Sequence, residues 1–241
     1  INQGRLYTDR IQDTAVIVNN SIISGPSHQL RSFNNSDVEE NIILKIGTPR
    51  FKKKLNGTVL SLLTGGAGNE NYWHWLYDVL PRLALCEQVV NLDEIDFFLA
   101  PALDKKFQKE SLKLLKLKKS KLISSKQFRH IQTSKLIVTD HPYCINNDAT
   151  NDIMNIPFWI SDWLKIKFSK FQVTDNDLPK NIFIDRSDSE ADIQQTRKII
   201  NENEVINFLD KKNFKVLTLS KYDFKEQIKF FYNAENIIGL H

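Results

Sequence analysis

The chain has 241 residues, 41% of them hydrophobic, and 33 Lys and Arg against 29 Asp and Glu, a net charge of +4. That apolar content fills one large core or two small ones, with two favoured by the length. The small net charge and the lack of aromatics interleaved with the dense basic run Lys116–Lys121 argue against a nucleic-acid partner. Two cysteines, Cys86 and Cys144, are too few and too far apart for a disulfide framework, and no apolar run reaches membrane-spanning length.

Residues 1–57 read as short apolar runs separated by Asn, Ser, Gly and Pro. Ala15–Val18, Ser21–Ile23 and Ile42–Ile46 are predicted strands, giving a β-rich leader segment. From Thr58 the pattern alternates. Thr58–Leu63 is a strand, followed by a glycine-rich turn and a helix from about Glu70 to Val90. Asp96–Ala100 is a strand stopped by Pro101, Asp104–Leu117 a helix, Lys135–Thr139 a strand, and Ile156–Phe171 a helix rich in Trp and Phe. After the polar stretch Val173–Pro179 come strands at 181–185, 214–219 and 236–240, apolar on both faces, with helices Glu202–Lys211 and Asp223–Ala234 between them. Asn201 and Glu204 look like a reciprocal cap for the first of these helices, with Ile200 stapled on Val205. Strands alternating with helices predict an α/β protein with parallel, doubly wound sheets. The expected division is an N-terminal α/β domain, residues 1–172, and a C-terminal domain, residues 173–241.

Polar residues inside the apolar elements carry the candidate chemistry. In Asn71–Leu83, NYWHWLYDVLPRL, a 3.6-residue period puts Asn71, His74, Asp78 and Arg82 on one stripe, with Trp73, Leu76, Tyr77, Leu80 and Leu83 largely elsewhere. Pro81 removes a helical hydrogen bond and is expected to kink the helix near Tyr77. The stripe fits either a site or a structural Asp78–Arg82 pair with His74 hydrogen-bonded in the core. The preceding Gly65, Gly66 and Gly68 form neither a dinucleotide fingerprint nor a P-loop. Farther on, Arg186 and His241 each immediately follow a strand, at the edge where open parallel sheets bind ligands, and Arg197 lies in the connection after the first of these strands. Two arginines and a histidine suit a diphosphate. Asp175–Asn176–Asp177 reads as a solvated turn rather than a metal site, and no His/Cys cluster has zinc spacing.

Three segments carry a family likeness. NYWHWLYDVLPRL resembles the His-Trp, Asp, Leu-Pro-Arg-Leu motif of the family 61 glycosyltransferases. IFIDRSDSEADIQQTRKIINENEVINFL is similar to that family's strand-Arg followed by an Arg…Asn-Glu helix start, matched by Arg186, Arg197, Asn201 and Glu202. DFKEQIKFFYNAENIIGLH resembles its Glu-Gln-Ile helix and Ile-Gly-x-His strand end, matched by Glu226, Gln227, Ala234, Gly239 and His241. The likeness implies a GT-B-like fold of two Rossmann-like domains. It implies inverting transfer of a sugar from a uridine diphosphate donor to a hydroxyl of a glycan or protein, with no cofactor beyond the donor and no metal. His74 or Asp78 would be the base, while Arg186, Arg197 and His241 would hold the donor in the C-terminal nucleotide-sugar-binding domain. Asn71 and Arg82 would line the acceptor side of a cleft between the domains. Family members continue past the Gly-His with Gly-Ala-Gly and further helices, so the second domain is expected to be incomplete here and this stretch alone inactive. A Lys-, Asn- and Ile-rich composition points to a bacterial surface-polysaccharide enzyme, cytoplasmic or at the membrane periphery; a eukaryotic relative would sit in the ER or Golgi lumen. The competing readings are a nucleotide-dependent oxidoreductase and a non-catalytic module that binds a glycan or a partner.

Overall fold

The structure, a computed structural model, describes residues 1–10, 13–27, 38–63, 71–144, 149–188 and 199–240. The chain divides into two compact units, Ile1–Ile166 and Lys167–His241.

The first unit is built on a seven-stranded sheet. Strands β1 (Arg5–Arg10), β2 (Asp13–Val18) and β3 (Ser21–Ile22) form an antiparallel meander. The β2–β3 turn is Asn19–Asn20, with φ of 48° and 63°. That left-handed pair is what a two-residue hairpin demands, and Asn tolerates it better than other side chains with a Cβ. The rest of the sheet is β4 (Lys53–Ser61), β5 (Phe97–Ala100), β6 (Leu122–Ser124) and β7 (His130–Ile137). The strand order is β3-β2-β1-β7-β4-β5-β6, with β7, β4, β5 and β6 mutually parallel and β1 antiparallel to β7. The leader strands therefore extend the main sheet and make it mixed, where the sequence predicts parallel sheets. Leu6, Val16, Val59, Leu99, Ile131 and Leu136 from five strands form one core cluster, all 1% exposed or less.

Ile42–Ile46, read as a strand from its apolar run, is instead the short helix α1. The local chemistry decides this. Asn41 Oδ1 accepts from Ile43 N at 3.0 Å, while its Nδ2 donates to the Thr14 and Ser27 carbonyls. Gly47 ends the helix at φ 70°. A five-residue apolar run has no period long enough to separate the two outcomes; the capping asparagine does.

The long helical run after β4 comes in three pieces: α2 (Tyr72–His74), a π-helical turn (Trp75–Val79) and α3 (Pro81–Glu87). Leu80 N reaches back five residues to Trp75 O at 3.1 Å. Pro81, which has no N–H, then stands at the first position of α3, where none is needed. The break assigned to Pro81 is thus a π turn, a feature that often marks functional sites. Helix α4 (Lys106–Leu114) follows β5, and α5 (Ala149–Met154) and α6 (Phe158–Phe168) follow β7. Ile153, Ile156, Trp159, Ile160 and Leu164 pack with Tyr143 and Cys144 against Trp73 and Tyr77. Cys86 and Cys144 are buried free thiols.

In the second unit β8 (Asn181–Asp185), α7 (Glu202–Asp210), β9 (Lys215–Thr218), α8 (Phe224–Asn233) and β10 (Asn236–Gly239) form a parallel sheet of order β10-β8-β9. Ile182, Phe183, Leu217 and Phe224 are buried, whereas Ile237 and Ile238 on edge strand β10 are exposed. The expected cap at Asn201 is not formed: its amide meets the Glu204 carboxylate at 3.1 Å, and Ile200 is 99% exposed, so no staple exists. The reciprocal box sits at α8 instead, where Asp223 Oδ1 accepts from Glu226 N and Glu226 Oε2 from Asp223 N, both at 2.7 Å. Among the described residues, no helix is long and apolar enough to cross a membrane.

Candidate active site

The order of connection in the first sheet singles out one place. The chain steps from β4 outward to β5 and β6, then returns to lay β7 on the other side of β4. Connections leaving β4 and β7 therefore diverge, and the gap beyond the carboxyl ends of these two strands is the topological switch point where open α/β sheets take their ligands. The segment after β4 carries the helix Tyr72–Glu87, and the segment after β7 carries Thr139–Cys144. Residues from both meet.

Asn71 starts the helix. Its Oδ1 accepts from Trp73 N at 2.9 Å and His74 N at 3.2 Å, an N-cap that fixes the first turn. His74 Nδ1 lies 2.8 Å from Asp78 Oδ2, with the histidine side chain 22% exposed and the aspartate 0%. A carboxylate accepts only, so in the neutral imidazole the Nδ1 facing it carries the proton and Nε2 the lone pair. Trp73 stacks on Tyr77 with ring centroids 5.0 Å apart and meets the His74 ring edge-on at 4.9 Å, so the imidazole is held on its apolar side as well.

Arg82 does not pair with the Asp78 carboxylate as the i,i+4 spacing implies. Its Nε donates to the Asp78 carbonyl at 3.2 Å, and its Nη1 to Thr139 O at 3.1 Å and Thr139 Oγ1 at 3.2 Å. At 3% exposure it ties α3 to the segment after β7 rather than presenting itself to a ligand. Burial brings its pKa down to about 10 against the opposing pull of Asp78, Asp140 and Tyr143. It remains a cation at neutral pH, close to a buried carboxylate that needs one.

Tyr143 was not legible as a site residue in the sequence. It is 3% exposed and its phenol faces Asp78. Burial first, then the Asp78 charge and the approach of the phenol to that carboxylate within hydrogen-bonding reach, hold its pKa well above the ordinary tyrosine range. Yet Tyr143 Oη and Asp78 Oδ1 are both buried, and neither completes a hydrogen bond of good geometry. Each such atom costs about 1–3 kcal/mol. The turn that delivers Tyr143 is set by His141, whose Nδ1 accepts from Tyr143 N at 3.4 Å and Cys144 N at 3.1 Å, and whose ring meets the tyrosine ring edge-on at 4.5 Å. A polar stretch just past a strand, DHPYC, was the available signal; only the pairing of β7 beside β4 gives it a partner.

The second sheet has its own switch point, between β8 and β10, because β9 and β10 lie on opposite sides of β8. Arg186 stands just past β8, and its Nη1 donates to Leu240 O, just past β10, at 3.2 Å. Beside it Asp185 accepts from Ser187 N at 2.8 Å, Ser187 Oγ at 2.5 Å and Thr218 Oγ1 at 2.7 Å. Burial of Asp185 is outweighed by these donors, which hold its pKa below the ordinary carboxylate value. Arg197, His241 and the glycines Gly65, Gly66 and Gly68 lie outside the described residues. Asp175 is part of a turn, its Oδ1 accepting from Asp177 N at 3.0 Å and its N–H donating to Asn233 Oδ1 at 2.8 Å.

No curated protein matches the chain. The family model described as Glycosyltransferase 61 matches residues 72–241. That span opens at the helix carrying His74 and includes β7 and all three strands of the second sheet. It takes in well over half of the sequence, and the chain belongs to glycosyltransferase family 61.

Proposed function

We propose that this glycosyltransferase is an inverting enzyme of the GT-B type, that its donor is a uridine diphosphate sugar, and that its acceptor is a hydroxyl of a growing surface polysaccharide. The observation that carries the reading is the His74–Asp78 pair: a partly exposed imidazole at a switch point, its Nδ1 held by a buried carboxylate 2.8 Å away. Inverting transfer needs a base that removes the acceptor proton as the oxygen attacks. His74 Nε2 takes that proton, the acceptor oxygen bonds to the anomeric carbon from the face opposite the leaving group, and the bond to the diphosphate breaks with its electron pair. Asp78 orients the ring and favours the imidazolium that forms, as a carboxylate behind a catalytic histidine does. Of the two base candidates raised by the sequence, this geometry favours His74.

The departing diphosphate needs positive charge where no metal supplies it. Arg186 at the second switch point takes this role, joined by Arg197 and His241. Asn71, exposed at the helix start beside His74, meets the acceptor; Arg82 is reassigned to holding the two segments of the site together.

The test is a uridine diphosphate release assay across donor sugars and glycan acceptors, with His74→Gln and Asp78→Asn. His74→Gln lowers turnover by about 10²-fold or more, as loss of a general base does, with donor affinity kept. Wild-type turnover in His74→Gln places the base elsewhere. Binding of a nicotinamide dinucleotide without uridine diphosphate binding overturns the donor.

A further inference from the structure

The mechanism above uses only one oxygen of Asp78. The other, Oδ1, is fully buried without a hydrogen bond of good geometry, and the group that interacts with this carboxylate from the segment after β7 is the Tyr143 hydroxyl, buried in the same condition. One is an acceptor and the other a donor, and they face each other across the switch point from the segments after β4 and β7. Both segments are anchored close by. Arg82 clamps Thr139 to the Asp78 carbonyl, and His141 fixes the backbone of Tyr143 and Cys144.

We propose that Tyr143 is a positioning residue of the active site, its hydroxyl donating to Asp78 Oδ1 in the working enzyme so that the carboxylate is gripped from both sides, by His74 on Oδ2 and by Tyr143 on Oδ1. This rests on the reading of His74 as the base. The consequence is electrostatic. A donor on Oδ1 draws negative charge away from Oδ2 and so limits how strongly Asp78 favours the imidazolium. Among the described residues, the charged or titratable groups that act on this pair or its neighbours include Arg82 on α3, which interacts with Asp78 and Tyr143, Asp140, which acts on Arg82, and His141 and Cys144, which meet Tyr143. All of them remain in a Tyr143→Phe variant.

The experiment is an NMR titration of the His74 ring nitrogens in wild type, in Tyr143→Phe and in protein carrying 3-fluorotyrosine at position 143. Phe removes one buried oxygen and preserves the ring packing. The fluorinated phenol is a stronger donor in the same place. Expected is a rise of the His74 pKa by about 0.5–1 unit in Tyr143→Phe, from loss of a hydrogen bond to its partner carboxylate, and a fall with 3-fluorotyrosine. The acidic limb of the kcat/KM–pH profile moves in step. An unchanged His74 pKa in both proteins, or the same direction of shift in both, overturns the proposal. Because the titration needs no turnover, it stands apart from the glycosyl-transfer reading. A responsive His74 with His74→Gln at full activity keeps the contact and removes the base.

Discussion

The indole N–H of Trp75 donates to Ser111 Oγ at 2.9 Å, joining the π turn to α4 across 36 residues with both side chains fully buried. The hydroxyl in turn donates to Gln108 O at 3.2 Å. This bond fixes the rotation of the turn on which His74 and Asp78 ride. Ser111→Ala leaves the indole N–H unpaired and is expected to lower stability by about 1–3 kcal/mol, read as a lower midpoint in urea at unchanged slope. A midpoint equal to wild type means that the indole finds another acceptor.

For Arg186 the expected result is a loss of donor affinity. Arg186→Ala weakens uridine diphosphate binding by about 1.5–3 kcal/mol, the scale of a charge-assisted hydrogen bond, measured by calorimetric titration. Arg186→Lys retains the charge and only part of the affinity, because a point charge cannot reproduce the guanidinium fork. Equal affinity in all three proteins assigns Arg186 to tying β8 to β10 and nothing more.

Asp185 predicts an acid limit for the second unit. Its folded pKa is depressed from 3.8, with the Ser187 and Thr218 donors prevailing over burial and Lys221 adding to their effect. A depressed carboxylate contributes stability above its unfolded pKa and loses it as the pH falls through the folded one. Hydrogen-exchange protection of β8 and β9 is therefore expected to decline below about pH 4 in wild type. Asp185→Asn, which cannot ionise, should be less protected at neutral pH and flat through the same range. Parallel profiles remove Asp185 as the cause.

Gly57 tests the bulge in β4. The β4–β7 register shifts between Leu55 and Thr58, and Gly57 sits in the shift at φ 134°. A Cβ there lies 2.5 Å from Asp96 Oδ2, the same oxygen that accepts from Thr58 N at 2.7 Å. Gly57→Ala must either strain the backbone or displace Asp96 from that amide. The expected cost is about 1–3 kcal/mol, measured by thermal unfolding; Asp96→Ala in the Gly57→Ala background should recover little, since the strained φ remains.

Much of the fold is legible in the sequence, for identifiable reasons. The helix bearing His74 and Asp78 shows through because its cap, Asn71, and its apolar face both lie within seventeen residues (71–87). The parallel strands around β5 and β8 are short apolar runs bounded by Pro, Asn and Asp, the pattern for buried strands. What escaped depends on distant partners. The first half of β7, His130–Ser134, is polar in sequence, yet His130, Ile131 and Thr133 are buried because β1 and β4 flank it. Ile200 reads as a staple, but among the described residues it stands exposed. Tyr143 belongs to no periodic element, and its place beside Asp78 arises from 65 residues of chain brought round by the order of the strands.

That order also sets a timetable for synthesis. The meander β1–β3 precedes the rest of the sheet in the chain, and among the described residues its other neighbour in the sheet is β7, which ends at Ile137. At about 5–20 residues per second, the ribosome needs roughly 6–23 s to travel from the end of β3 to the end of β7. Throughout that interval β1 offers an unpaired backbone edge between Arg5 and Tyr7, with Leu6 and Val16 uncovered. A nascent chain in this state is a natural client for a ribosome-bound chaperone, and slow codons placed before residue 130 would lengthen its exposure.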